Sequence, residues 1–246
     1  MNYGGEWENR VSGDGDIQRP MSGRDIVVLS GPSGAGKTTV SRAVARRLSL
    51  FISVSATTRS RRPGETEGVD YYFLSREEFQ KRIADGAFVE WAEVFGQYYG
   101  TPAEELERAR SRGKKLLLEI DVQGGIQVKK KFPEALAILL LPPNDKALRR
   151  RLSKRGTEQS EEVERRFAKA RDEIEMARRS GLYDAEVVND DLENAIDEVV
   201  CIVQARAVFF TAENAEHAEK GRDGGTAMRP STDSGRPEQV EGRNTE

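Results

Sequence analysis

The segment Gly31-Pro32-Ser33-Gly34-Ala35-Gly36-Lys37-Thr38 fits the pattern G-x-x-x-x-G-K-[ST]. Each residue type there has a chemical reason. Glycines permit backbone angles and a close approach that a Cβ would block. The main-chain N–H groups can then converge on an anion at a helix N-terminus. Lys37 adds a point charge for the β- and γ-phosphates of a nucleoside triphosphate, and Thr38 offers a hydroxyl to Mg²⁺. The expected ATP-binding set is therefore residues 31–38, with Mg²⁺ as cofactor. The flanks agree: the apolar run Ile26–Ser30 reads as a buried strand, and Val40, Ala43, Val44 and Leu48 recur at helical spacing.

A phosphate loop alone permits a GTPase, a motor ATPase or a small-molecule kinase. Asp121-Val-Gln-Gly124 has the D-x-x-G form of a GTPase switch, but the N-K-x-D base-recognition motif is missing; Asn144-Asp-Lys146 has the wrong order. A motor is usually larger, which leaves a kinase of a small acceptor. The one histidine, His217, lies in a polar tail, so histidine catalysis in the folded core is disfavoured. The one cysteine, Cys201, rules out an internal disulfide and a zinc cluster. It lies within Val199–Val203 and reads as a small core residue.

Specific resemblance begins at Ser53-Val-Ser-Ala-Thr-Thr-Arg59-Ser-Arg-Arg62-Pro-Gly-Glu-Thr-Glu-Gly-Val-Asp-Tyr71-Tyr-Phe. It continues in Phe88-Val-Glu90-Trp-Ala-Glu, Tyr98-Tyr99-Gly-Thr101-Pro, Leu118-Glu-Ile-Asp121-Val-Gln-Gly, Arg155-Gly-Thr-Glu and Val188-Asn-Asp-Asp191. Taken in this order, from about Arg24 to Phe210, the chain resembles guanylate kinase.

That resemblance implies GMP as acceptor and ATP as donor. Arg59 and Arg62, three apart in a polar loop, would clamp the GMP phosphate. Tyr71 and Tyr99 match positions that donate hydroxyls to the same phosphate. Glu90 matches the base reader: guanine presents N1–H and the 2-amino group as adjacent donors, and a carboxylate accepts both. Ser55, Thr101 and Asp121 match further positions of the GMP pocket. Asp121 ends a strand beside the phosphate loop, so a second role near Mg²⁺ stays open for it, with Glu119 the weaker candidate. Arg151, Arg155 and Arg166 match lid positions that would close over the transferring phosphoryl group. The implied catalytic set is Lys37, Arg59, Arg151, Arg155 and Arg166. Arg149 and Arg150 have no such match and read as solvated. Two other readings stand beside this one. A guanylate-kinase-like interaction module commonly departs from the loop and lid motifs, and a kinase of a phosphorylated sugar should lack Glu90 and the Ser55–Arg62–Tyr71 set.

The elements that must position these residues alternate. Ile26–Ser30, Ile52–Ser55, Lys115–Ile120, Ala135–Leu141 and Ala185–Val188 read as strands. Thr38–Leu48, Val122–Lys131, Asp145–Lys154, Glu161–Arg179 and Leu192–Phe210 read as helices. The expected fold is α/β: a parallel sheet covered by helices on both faces. The stretch 52–101 breaks the alternation and suggests a small mixed α+β insertion for GMP, and 145–180 a helical lid. Within the insertion, Tyr71–Leu74 is a short strand. Ser75-Arg-Glu-Glu78 has capping-box form, opening a helix that Gly86 stops. Phe88–Phe95 and Tyr98–Gly100 suggest a hairpin. Pro102 suits the first turn of a helix to Arg110.

Composition bounds the rest. Of 39 basic and 42 acidic side chains, the head 1–23 holds 2 and 4 and the tail 211–246 holds 5 and 8. The middle keeps 32 and 30, too balanced for a basic nucleic-acid binder. Head and tail are poor in large apolar residues and are expected to be disordered. The 187 residues between them suit one domain. No run approaches the roughly 20 apolar residues of a membrane span, and no secretory segment opens the chain. A cytoplasmic protein is expected, with translation starting at Met21 as a further hypothesis.

Overall fold

A computed structural model describes residues 21–153 and 160–220, and the side chains within 21–153 and 161–206. The head 1–20, the tail beyond 220 and residues 154–159, which include Arg155, lie outside the described residues. The chain divides into two units after Arg206, and every contact below belongs to the first.

Five parallel strands form the central sheet: β1 (Ile26–Ser30), β2 (Phe51–Ile52), β7 (Leu116–Ile120), β8 (Leu136–Leu141) and β9 (Ala185–Val188), in the order β2-β7-β1-β8-β9. All of β1 and β8 is buried, because helices cover both faces. Val27 and Leu29 point to one side, where α1 (Lys37–Leu48) contributes Val40 and Val44 and α7 (Leu192–Lys220) contributes Ile196, Val199 and Val203. Ile26 and Val28 point to the other, against α3 (Glu104–Ser111) and α4 (Val122–Lys131) through Ala109 and Val128. The expected helix-covered parallel sheet is therefore observed.

The second sheet comprises β3 (Ala56–Thr57), β4 (Tyr72–Phe73), β5 (Phe88–Val94) and β6 (Gln97–Pro102), in the order β4-β3-β6-β5. Strands β5 and β6 form an antiparallel hairpin. Helix α2 (Arg76–Ala84) packs Phe79 onto Phe88 and Tyr98, with ring centroids 4.3 and 5.3 Å apart. Two further helices, α5 (Asp145–Ser153) and α6 (Ser160–Ser180), meet through Leu148, Leu152, Phe167 and Ala170.

Several local expectations are corrected. Ile52–Ser55 is not one strand: pairing to β7 ends at Ile52, and the chain crosses to the second sheet before Ala56. Pro102 ends β6 opposite Phe88 instead of opening a helix. Ser75 caps α2 by accepting the Glu78 N–H at 3.1 Å, but the Glu78 carboxylate takes Arg82 Nε at 2.8 Å, so the reciprocal half of the capping box is not made. Cys201 is exposed, because α7 buries the face carrying Ile196, Val199 and Val203, which Cys201 does not share. Helix α7 also runs to Lys220, into the segment expected to be disordered.

Candidate active site

The phosphate loop joins the C-terminal end of β1, the middle strand of the parallel sheet, to the N-terminus of α1. Gly36 caps that helix at φ 98°, and a Cβ there would lie 2.3 Å from Asn189 Nδ2. Only glycine fits such a position. Behind the loop, Asn189 Nδ2 donates to the Ala35 carbonyl at 2.7 Å, and Arg151 donates to the same carbonyl at 3.4 Å and to the Asn189 carbonyl at 2.8 Å. Lys37 Nζ donates back into its own loop, to the carbonyls of Gly31 at 2.6 Å and Pro32 at 3.1 Å.

A cleft of about 430 Å³ separates this loop from the second sheet. On one side lie Ser33, Gly34, Gly36, Lys37 and Thr38, and on the other Ser55, Arg59, Arg62, Tyr71, Glu90 and Tyr99. Asp121 and Arg166 also line it. Gly31, Pro32, Ala35, Thr101 and Arg151 do not, and Arg155 lies outside the described residues. Thr101 stands behind Glu90, donating its hydroxyl to Glu90 Oε1 at 2.8 Å. Arg151, expected over the phosphoryl group, is hydrogen-bonded here to the Ala35 carbonyl of the loop and to the Asn189 carbonyl.

Glu90 is 4% exposed, on β5. Burial first, and the charge of Asp121 with it, push its carboxyl up to about 7, against the opposing pull of the Thr101 hydrogen bond. Its position is fixed from α4. Gln127 exchanges hydrogen bonds with the Trp91 backbone, at 3.3 Å from the N–H and 2.7 Å to the carbonyl. A Cβ on Gly124 would sit 2.4 Å from Glu90 Oε2.

Arg59 forks onto Glu65, donating to Oε1 at 2.8 Å and to Oε2 at 3.1 Å, and stands 5.4 Å from the Tyr71 ring centroid. Glu65 also accepts the Arg62 N–H at 2.8 Å. The Arg59 hydrogen bond holds the Glu65 carboxyl below the usual carboxylate range. Burial raises the Tyr71 hydroxyl, which therefore stays protonated and able to donate. The tip of the β5–β6 hairpin reaches α6: Lys169 Nζ and Arg165 Cζ lie 4.5 and 4.9 Å from the Phe95 ring centroid.

The carboxylate that meets Thr38 is Glu119, which accepts its hydroxyl proton and that of Ser41 at 2.7 Å. Asp121 instead caps α4, with Oδ1 accepting the Gly124 N–H at 2.8 Å. Thr38, Glu119 and the remaining Asp121 oxygen are hard oxygen donors, which suits Mg²⁺. Among the described residues no group of three or more His, Cys, Asp and Glu is arranged to hold a metal by itself. Mg²⁺ fits this arrangement because it takes one or two protein oxygens and completes its shell with phosphates and water.

Residues 23–206 match the family model for guanylate kinase. The chain belongs to the guanylate kinase family. It is 47% identical over 182 residues to the guanylate kinase of Symbiobacterium thermophilum, a match covering 73% of this chain and 84% of that one. With the guanylate kinase of Fusobacterium nucleatum it shares 45% over 184 residues, covering 75% and 98%. A crystal structure of guanylate kinase from Anaplasma phagocytophilum superposes with a TM-score of 0.59 at 36% identity, covering 73% of this chain and 84% of that chain.

Sequence reasoning passed over several groups in the cleft of this guanylate kinase family member. Lys169 and Glu173 line it beside Arg166. Their spacing, i, i+3 and i+7, marks one face of α6 and is a usable signal. Glu173 is 7% exposed; burial raises its carboxyl, while Lys37 and the Ser33 N–H oppose that rise. Glu65 sits in a charged run that does not single it out, whereas Glu119, expected as the weaker candidate beside Mg²⁺, is the carboxylate that meets Thr38.

Proposed function

We propose that this chain transfers the terminal phosphoryl group of ATP to GMP, giving ADP and GDP, with Mg²⁺ accompanying the triphosphate, as a cytoplasmic step of purine nucleotide metabolism. One observation carries the reading: a glycine-rich anion loop with Lys37 and Thr38 faces Glu90, Arg59 and Tyr71 across a single cleft.

In this reading the loop amides and Lys37 hold the β- and γ-phosphates, and Lys37 exchanges its carbonyl partners for phosphate oxygens. Arg59, Arg62, Tyr71 and Tyr99 hold the GMP phosphate, with Ser55 beside them. Glu90, kept in place by Thr101, accepts from guanine N1–H and the 2-amino group. Adenine offers an acceptor at N1 and would meet like partial charge, and a buried polar site of this kind can discriminate by about 10⁴–10⁵. Asp121 borders the same pocket. A GMP phosphate oxygen attacks the γ-phosphorus, and the bond to the β–γ bridging oxygen breaks. The acceptor oxygen is already anionic, so no strong base is required, in keeping with the lack of a histidine among residues 24–210. Catalysis then rests on position and charge. Arg166, hydrogen-bonded to Ser33 Oγ at 3.0 Å, is placed with Arg59 to neutralise the transferring group. Arg155 is proposed to join them from the lid, and Arg151 to act by stiffening the loop. When bound, Mg²⁺ would withdraw charge from the phosphates, with Thr38 and Glu119 the residues to hold it and Asp121 within the same strand end.

A coupled assay with ATP, Mg²⁺ and GMP, AMP, UMP or ribose bisphosphate tests this. Turnover with GMP far above the others is expected. Turnover with the sugar alone would point to a sugar kinase, and none with GMP at any magnesium concentration would leave an interaction module.

A further inference from the structure

Glu105 is 1% exposed, yet it does not line the cleft and has no part in the chemistry above. It lies in the first turn of α3, just after the second sheet ends at Pro102. Its Oε2 accepts the Val54 N–H at 2.7 Å. Its Oε1 accepts from Tyr72 Oη at 3.1 Å and Arg108 at 2.8 Å. Arg108 also bonds the Tyr72 hydroxyl.

These partners are placed tellingly. Val54 is in the crossing from the parallel sheet to the second sheet, between β2 and β3. Glu105 is in the crossing back. Val54 and Tyr72 are also the immediate neighbours of Ser55 and Tyr71, which line the cleft. The Tyr72 N–H donates to the Ser55 carbonyl at 2.9 Å, so the two segments are joined through their backbones as well. One carboxylate thus ties both crossings and the backbones that present Ser55 and Tyr71. Stability alone does not call for it, because a well-packed apolar side chain generally serves a buried site as well as an ion pair does.

We propose that Glu105 is a positioning residue for the acceptor nucleotide: it holds the hinge of the second sheet so that Ser55 and Tyr71 meet the GMP phosphate. The inference rests on the GMP reading above. Small misplacements of binding groups are costly, with 1 Å worth up to about 10²-fold. The expected signature is therefore confined to the acceptor.

The test compares wild type with Glu105→Ala, Glu105→Gln and Tyr72→Phe in steady-state kinetics and GMP calorimetry, with thermal melting as a check on folding. Glu105→Ala should raise the KM and Kd for GMP by about tenfold while KM for ATP stays within about twofold. Glu105→Gln, which keeps an acceptor for the Val54 N–H, should recover most of that loss. Tyr72→Phe removes a single hydroxyl, should raise KM for GMP by about threefold, and carries the test if Glu105→Ala does not fold. Unchanged GMP constants in folded variants, or equal rises for GMP and ATP, would overturn the proposal. Wild-type protein that neither binds nor phosphorylates GMP would instead remove the acceptor reading, a result visible before any variant is made.

Discussion

Burial holds the Glu90 carboxyl up to about 7, and that has two consequences of definite sign. Folding favours the protonated acid, so the stabilising contribution is fully present below the ordinary value of 4.5 and is lost as pH rises through about 7. Relative to Glu90→Gln, the wild type should therefore lose about 3 kcal/mol of unfolding free energy across that interval. Urea titrations at several pH values check this; parallel pH profiles would refute it. The proposed function runs the other way, because accepting two guanine N–H groups would need the carboxylate. The ratio of wild-type to Glu90→Gln kcat/KM for GMP should fall below pH 7, and taking the ratio cancels the titration of the GMP phosphate itself. Gly124 offers a separate probe. A methyl group there collides with Glu90 Oε2, the atom proposed to read the base, while the loop that faces ATP lies elsewhere. Gly124→Ala should cut kcat/KM for GMP by about tenfold or more with KM for ATP little changed, and equal effects on both substrates would show that the collision is relieved by a general shift. At this scale the sequence was informative where a motif fixed several residues together, as with Lys37–Thr38. It was silent on Glu105, because a glutamate in Glu104-Glu-Leu-Glu-Arg reads as solvated until the fold buries it.

At the scale of elements, strands β1, β7 and β8 were legible because burial on both faces leaves nearly continuous apolar runs, broken in β7 only by Glu119 at its site end. The switch of sheets at Ser53–Ser55 was not, since it depends on pairing with β7 and then β6, remote in sequence. Pro102 misled for the same reason: its partner Phe88 decides its conformation. The β5–β6 turn raises a sharper question. Phe95 and Gly96 have φ of 51° and 75°, the left-handed pair of a tight hairpin, where asparagine or glycine is the easier first residue. A left-handed non-glycine residue costs roughly 1–2 kcal/mol. Two cation–π contacts, with Arg165 and Lys169, return about 1 kcal/mol or more. These nearly cancel, so Phe95→Asn should change unfolding free energy by less than about 1 kcal/mol. It nevertheless removes the contact between the hairpin and α6, and kcat/KM should fall several-fold. Unchanged kinetics in a folded variant would show that the ring is not kept for closure.

For the molecule as a whole, the family match ends at residue 206, where the first unit also ends. Among the described side chains, the buried face of α7 runs through Ile196 and Val199 to Val203. A chain stopped after Arg206 should melt within a few degrees of the full protein and keep its GMP turnover within about twofold, since it retains every residue that the family model matches. A large loss of either would give the remaining residues a role in the kinase unit. No helix among the described residues is long and apolar enough to cross a membrane. The path of the chain has its own implication. It leaves the parallel sheet after Ile52 and returns from the second sheet into α3, where the Glu105 carboxylate accepts the Val54 N–H, before rejoining at Leu116. A module threaded in and out through one doorway can be swapped for another of different taste without rewiring the triphosphate loop. Evolution, or an engineer, could thus graft a new acceptor onto an old donor site.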